Sequence, residues 1–153
     1  KILAEKAGIY GMIGGQVVDV ASCGVGLDEG MLNFIYELKT GALIESSMMI
    51  GALLAGAEDA ELEKVQKIAS DVGIAFQIQD DILDVTSTTE ELGKPVHSDE
   101  KNEKTTYVTL KGLEKATRDV EVISQEALDL LSGLDRENAY LTQLIRELIH
   151  RKK

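Results

Sequence analysis

The sequence has little of several things that would otherwise place it. It has one cysteine, Cys23, so no internal disulfide can form. That suits a reducing compartment, and a cytoplasmic location is expected. It has one proline, Pro95, and aromatic residues make up 4% of its 153 residues. No stretch alternates polar and apolar residues over a useful length, so strands are not expected. Basic residues are also scarce: 16 Lys and Arg face 27 Asp and Glu, a net charge of −11. Contacts to a phosphate backbone need clustered Lys and Arg, which argues against nucleic acid as a partner. An anionic membrane surface is disfavoured for the same reason. No membrane span is expected either. The strongly apolar stretch 41–57 is shorter than the roughly 18–20 residues a span requires, and Glu45 interrupts it. It is expected to be a buried core helix.

What is present is a helical, core-forming pattern. The hydrophobic fraction of 44% argues against disorder, and the length suits one domain. Apolar periodicity and breaker residues predict helices over about 1–23, 28–39, 42–57, 58–85, 106–131 and 137–151. Gly24 and Gly26 end the first. Asp28 starts the second, and Lys39-Thr40-Gly41 breaks it from the third. A polar loop is expected over 86–103. Gly8, Gly11 and Gly15 fall near one helical face, where they would permit close helix approach. The first residue is Lys1, in mid-pattern, and the chain is expected to be a fragment with its upstream part missing.

The negative charge is concentrated. Residues 58–93 hold 10 acidic and 2 basic groups, whereas residues 94–153 hold 11 of each. Within the acidic segment, Gln77, Asp80, Asp81 and Asp84 stand at i, i+3, i+4 and i+7, a spacing that places them on one helical side. A solvated helix face normally interleaves the two signs, yet no Lys or Arg lies between Lys67 and Lys94. Asp is also a poor mid-helix residue. A divalent cation would relieve the repulsion, and Mg2+ takes one or two carboxylates together with substrate phosphates. A lone lysine, Lys39, enters an apolar segment and needs an anionic partner. Gln16 and Asp19 form a polar i, i+3 pair in an otherwise apolar helix. The segment Gly93-Lys94-Pro95 and the charged run ending in Lys104-Thr105-Thr106 could fold over an anion or lie in solvent.

Taken in order, Gly15-Gln16-Val17-Val18-Asp19, Lys39-Thr40-Gly41, Phe76-Gln77-Ile78-Gln79-Asp80-Asp81-Ile82-Leu83-Asp84, Gly93-Lys94-Pro95 and Lys104-Thr105-Thr106-Tyr107 carry a resemblance. The chain resembles the C-terminal half of the trans-isoprenyl diphosphate synthases, with the bacterial farnesyl/geranylgeranyl type as its nearest look-alike. The resemblance implies an all-α helical bundle of which residues 1–153 are the C-terminal part of a single domain. It implies Mg2+-dependent condensation of an allylic diphosphate with isopentenyl diphosphate, in a homodimer. Asp80, Asp81 and Asp84 would belong to the second Asp-rich motif and serve Mg2+, Asp80 foremost. Lys39 and Lys94 would hold the allylic diphosphate. Thr40 and Gln77 would sit near the reacting carbon, Gln16 and Asp19 would line the cavity, and Lys104 would belong to a closing loop. Apolar walls such as Ile13, Val17, Leu43 and Phe76 would exclude water.

The family's first Asp-rich motif has no counterpart in residues 1–75. The fragment is therefore expected to be inactive alone, and its product length is not readable. Two other readings stand beside this one. The chain could be a non-catalytic regulatory subunit, which the intact lysines and aspartates argue against. It could instead be a carboxylate metal bundle using Glu147 and His150, but such bundles need that spacing from two helices. His150 reads as a helix-end residue and Cys23 as a small core residue.

Overall fold

The computed structural model describes residues 1–88, 104–136, 138–149 and 151. Among the described residues it contains helices and no strand. In chain order these are α1 (Ile2–Ala7), α2 (Met12–Ala21), α3 (Glu29–Ile35), a π-helical turn (Tyr36–Gly41), α4 (Ala42–Leu54), α5 (Asp59–Thr86), α6 (Tyr107–Lys111), α7 (Leu113–Ser132) and α8 (Ala139–Ile149). The all-α expectation holds.

The central element is α5, 28 residues long. Val65, Ile68, Ala69, Val72, Ala75, Ile78 and Ile82 recur at helical spacing and are buried. Ile68 and Ile78 are fully buried, each contributing about 1.5–3 kcal/mol of apolar transfer. Helix α7 packs along α5 with Ala116, Val120, Ala127 and Leu131, and α8 adds Ile145 and Ile149. The outer face of α7 carries the i,i+4 pairs Glu114–Arg118 and Lys115–Asp119. Exposed pairs of this kind contribute only about 0.3–0.5 kcal/mol each.

Four local expectations need correcting. The first helix is two helices, because the chain breaks over residues 8–11. An added Cβ at Gly11 would lie 1.9 Å from the Lys6 carbonyl oxygen, so the backbone doubles back there. Of the three glycines expected on one packing face, only Gly15 packs closely against another element. Second, Lys39-Thr40-Gly41 does not interrupt the helix. It lies in a π-helical turn that carries α3 into α4. Third, the helix expected over 106–131 is split at Gly112, whose φ of 81° takes the chain out of helical geometry. Fourth, α4 is not a fully buried core helix. Only Ala42, Glu45 and Ser46 are buried, while Leu43, Leu53 and Leu54 are exposed. Glu45 is held there by Lys6 and by Gln66, whose Nε2 lies 3.1 Å away.

The α2 end, the Asp28 start and the α8 position agree with expectation. The side chain of Asp28 accepts the Met31 N–H at 2.8 Å, capping α3. No helix among the described residues is long and apolar enough to cross a membrane.

Candidate active site

A cavity of about 140 Å3 opens between α2, the π-helical turn, α5 and the start of α6. Asp19, Lys39, Gln77, Asp80, Asp81 and Lys104 line it, with Cys23, Tyr36 and Thr105 on its wall. These residues come from four separate parts of the sequence.

Lys39 is placed by two close approaches. An added Cβ at Gly15 of α2 would lie 2.5 Å from the Lys39 backbone nitrogen and 2.8 Å from the Leu38 Cβ. An added Cβ at Gly73 of α5 would lie 2.9 Å from the Gly41 Cα. The turn is thus gripped between α2 and α5, with no room for a side chain at either contact. Turns of this geometry are rare and occur often at functional sites.

Lys104 arrives from the other side. Thr105 Oγ1 accepts the Leu27 N–H at 3.1 Å, which fastens its segment to the loop before α3. Thr106 and Thr109 then form a reciprocal capping box at the start of α6.

The two ammonium groups meet at Asp19. Lys39 Nζ donates to Asp19 Oδ2 at 2.7 Å, and Lys104 Nζ lies 3.5 Å from both carboxylate oxygens. Burial raises the Asp19 pKa, but the Lys39 hydrogen bond and the two lysine charges outweigh it and hold the carboxyl below its usual value. Two cations thus share the one carboxylate of Asp19, while Asp80 and Asp81 bring two further carboxylates to the same lining.

The three aspartates of α5 do not act as one cluster. Asp80 has a side chain 43% exposed and lines the cavity. Arg151 reaches back to it at 3.1 Å, with its guanidinium 3.7 Å from the centre of the Phe76 ring. The stripe therefore receives a basic partner from the end of the chain, one that counting within 67–94 did not find. Burial pulls the Arg151 pKa down, and Asp80 opposes this. Asp81 points inward. It accepts the Tyr36 hydroxyl and the Tyr107 backbone N–H, the latter at 2.7 Å. Asp84 is buried one turn on and does not line the cavity. Among the described residues, no three His, Cys, Asp or Glu side chains converge to hold a metal ion. Asp80 meets Arg151 at the cavity, whereas Asp81 is engaged by Tyr36 and Tyr107.

Other expected residues scatter. Gln77 lines the cavity, whereas Thr40 does not. Gln16 is exposed and lies outside the lining. Ile13, Val17 and Leu43 are exposed rather than walling the cavity, and Phe76 supports Arg151 instead. Cys23, expected in the core, is exposed at the cavity. Lys94 and His150 lie outside the described residues. Sequence reasoning missed Tyr36, Tyr107 and Arg151. The signal available for the tyrosines was their rarity in a chain where a buried hydroxyl needs a partner.

Two lysines beside a half-exposed aspartate, in a cavity of an all-α bundle, are the class of site that this fold defines. Comparison with known proteins narrows that class. The polyprenyl synthetase family model matches residues 2–146, and the chain belongs to that family. It is 44% identical over 138 residues to the chloroplastic heterodimeric geranylgeranyl pyrophosphate synthase large subunit 1 of Arabidopsis thaliana, covering 88% of this chain and 37% of that protein. It is 38% identical over 151 residues to the geranylgeranyl diphosphate synthase of Cyanophora paradoxa, covering 97% of this chain and 50% of that one. Among solved structures, the Helicobacter pylori geranyltransferase complexed with magnesium and isoprenyl diphosphate superposes with a TM-score of 0.80 at 35% identity. That match covers 97% of this chain and 48% of the other. The chain therefore spans half the length, or less, of these relatives. Since the Arabidopsis relative is chloroplastic, membership of the family does not by itself place a protein in the cytosol.

Proposed function

We propose that this chain is the C-terminal, diphosphate-handling part of a Mg2+-dependent prenyltransferase domain. The domain would join an allylic diphosphate to isopentenyl diphosphate, giving a short-chain product such as farnesyl or geranylgeranyl diphosphate. The observation that carries this reading is the meeting of Lys39 and Lys104 across Asp19, in a cavity that Asp80 also lines.

The donor set fits Mg2+ in one particular mode. A cage of three carboxylates is not formed among the described residues. Mg2+ usually keeps several waters and takes one or two carboxylates plus substrate phosphate oxygens. Asp80 is the carboxylate placed for that, and its half-exposed oxygens face the cavity rather than the core. When bound, the ion would offset charge on the departing diphosphate.

The residues of the chain do the rest. Lys39 and Lys104 hold the diphosphate as the allylic C–O bond breaks, where fixed positive charge is most effective. Lys94 and Thr40 belong to the same proposal. The Gln77 amide oxygen can face the allylic cation. The double bond of isopentenyl diphosphate attacks that cation, a proton is lost to the released diphosphate, and the new C–C bond is complete. Asp19 keeps both lysines aimed at the site. Homodimeric assembly is part of the proposal, as is a requirement for the complementary part of the domain.

The test supplies that part in trans. This chain, assayed with the N-terminal half of the Cyanophora relative, should form product from labelled isopentenyl diphosphate only with Mg2+ present. Neither half should do so alone. Product formed in the presence of excess chelator would sink the mechanism.

A further inference from the structure

We propose that Asp81 is a positioning residue that ties the Lys39 turn to the Lys104 segment, and that it does not hold the metal ion. The proposal rests on the reading of Lys39 and Lys104 as diphosphate ligands.

Asp81 sits beside Asp80 on α5 but is buried, 9% exposed. Its Oδ2 takes two donors of the protein. One is the hydroxyl of Tyr36 and the other is the backbone N–H of Tyr107, at 2.7 Å. That N–H also lies 3.3 Å from the Tyr36 oxygen, so the three groups close into one small network. The donors come from residues 71 apart in sequence.

Their places in the chain give the network its meaning. Tyr36 opens the π-helical turn three residues before Lys39. Tyr107 opens α6 three residues after Lys104. One oxygen of α5 thereby fixes both lysine-bearing segments at equal remove from their lysines. The Tyr107 N–H belongs to the first turn of α6, where no intrahelical acceptor exists, so it needs an outside partner. Tyr107 is anchored at its far end too, because its hydroxyl donates to Asp119 at 2.7 Å. Burial and that hydrogen bond push the Tyr107 hydroxyl's pKa well above its usual value, so it stays a donor.

Two carboxylates therefore span the same pair of segments. Asp19 links them through the ammonium groups, and Asp81 links them through the Tyr36 hydroxyl and the Tyr107 N–H. A cation on the Asp81 Oδ2 would have to displace both donors and leave them buried without an acceptor, which is costly. The Asp80 side chain, by contrast, is 43% exposed and lines the cavity, where it meets Arg151.

The test compares variants by calorimetric titration with inorganic diphosphate, with and without Mg2+, and by hydrogen exchange at the Tyr107 amide. In Asp81→Asn one amide oxygen can still accept both donors. It should keep the wild-type Mg2+ enhancement and Tyr107 protection. Asp81→Ala removes the acceptor, and losing a charge-assisted link should lower diphosphate affinity roughly tenfold or more, with faster exchange at Tyr107. Tyr36→Phe removes one donor only and should give a smaller loss of the same kind. It also remains informative if Asp81→Ala does not fold. Asp80→Asn should lose the Mg2+ enhancement while Tyr107 stays protected. If Asp81→Asn loses the Mg2+ enhancement as Asp80→Asn does, Asp81 is a metal ligand and the proposal is overturned. Unchanged affinity and unchanged exchange in both Asp81→Ala and Tyr36→Phe would overturn it as well. If wild type binds no diphosphate, the reading of the lysines fails instead. The exchange data then decide the clamp alone, which fails if Tyr107 is unprotected in wild type.

Discussion

Lys39 Nζ lies 2.7 Å from Asp19 Oδ2, on a turn that an added methyl group at Gly15 or Gly73 would push apart. The pair joins α2 to the π-helical turn and leaves Lys39 a third exposed at the cavity. Its titration follows from its charges. The Asp19 pKa is held below the ordinary 3.8 by the two lysines. A carboxylate depressed in the folded state contributes stability above its unfolded pKa and loses it as pH falls through the lower folded value. Wild type should therefore be more stable than Asp19→Asn from neutral pH down to about pH 4. The gap should close as pH falls further. Urea unfolding at a series of pH values measures it. A gap independent of pH would show that Asp19 acts by packing alone.

Gly73→Ala should be among the most damaging small substitutions. Its Cβ would stand 2.9 Å from the Cα of Gly41, where the opposing atom is backbone and cannot swing aside. Overpacking of this kind costs about 1–3 kcal/mol. Because the displaced element carries Lys39, diphosphate affinity should fall together with the melting temperature. Stability loss without any change in affinity would mean that the turn does not set the lysine.

Ile78→Ala supplies the contrast. Ile78 is fully buried on the core side of the site-bearing helix. Its truncation should cost about 2–5 kcal/mol. Diphosphate affinity at a temperature where the variant remains folded should stay near wild type. A large affinity loss would show that the core and the cavity are coupled more tightly than their separate faces on α5 imply.

Lys39→Met and Lys104→Met test the anion site itself. Each retains an aliphatic stem and removes one charge from beside Asp19. Each should weaken diphosphate binding about tenfold or more, the scale of a charge-assisted hydrogen bond. The loss should shrink at high salt, where the remaining exposed charges are screened. Equal affinity in both variants and wild type would remove the lysines from the site.

These residues also show what was legible in the chain. The long α5 could be read because its apolar residues recur over 28 positions, and the start of α3 because Asp28 is an ordinary cap. Lys39 was legible because a cation entering an apolar stretch stands out, and Asp19 because it pairs with Gln16 in an apolar helix, whereas Lys104, at the end of a charged run, was placed only by the family resemblance. Their mutual contact was not, since it depends on how α2 meets the turn. The split of Asp80 from Asp81 was not legible either. Helical periodicity gives the angle between two side chains, but not which angle meets water and which meets Tyr36. Cys23 was misplaced because a small apolar residue near a helix end can face either way, and here the turn after α2 leaves it exposed. The break at Gly112 was hidden because a single glycine inside a periodic pattern is compatible with continuation.

The central claim is that Asp80 and the lysine pair together form a Mg2+-assisted diphosphate site. Calorimetric titration of inorganic diphosphate into this chain, with Mg2+ and then with chelator, tests it most directly. The account predicts tighter binding with Mg2+ in wild type, and binding in Asp80→Asn that is weak and insensitive to Mg2+. Mg2+-enhanced binding that persists undiminished in Asp80→Asn would contradict it.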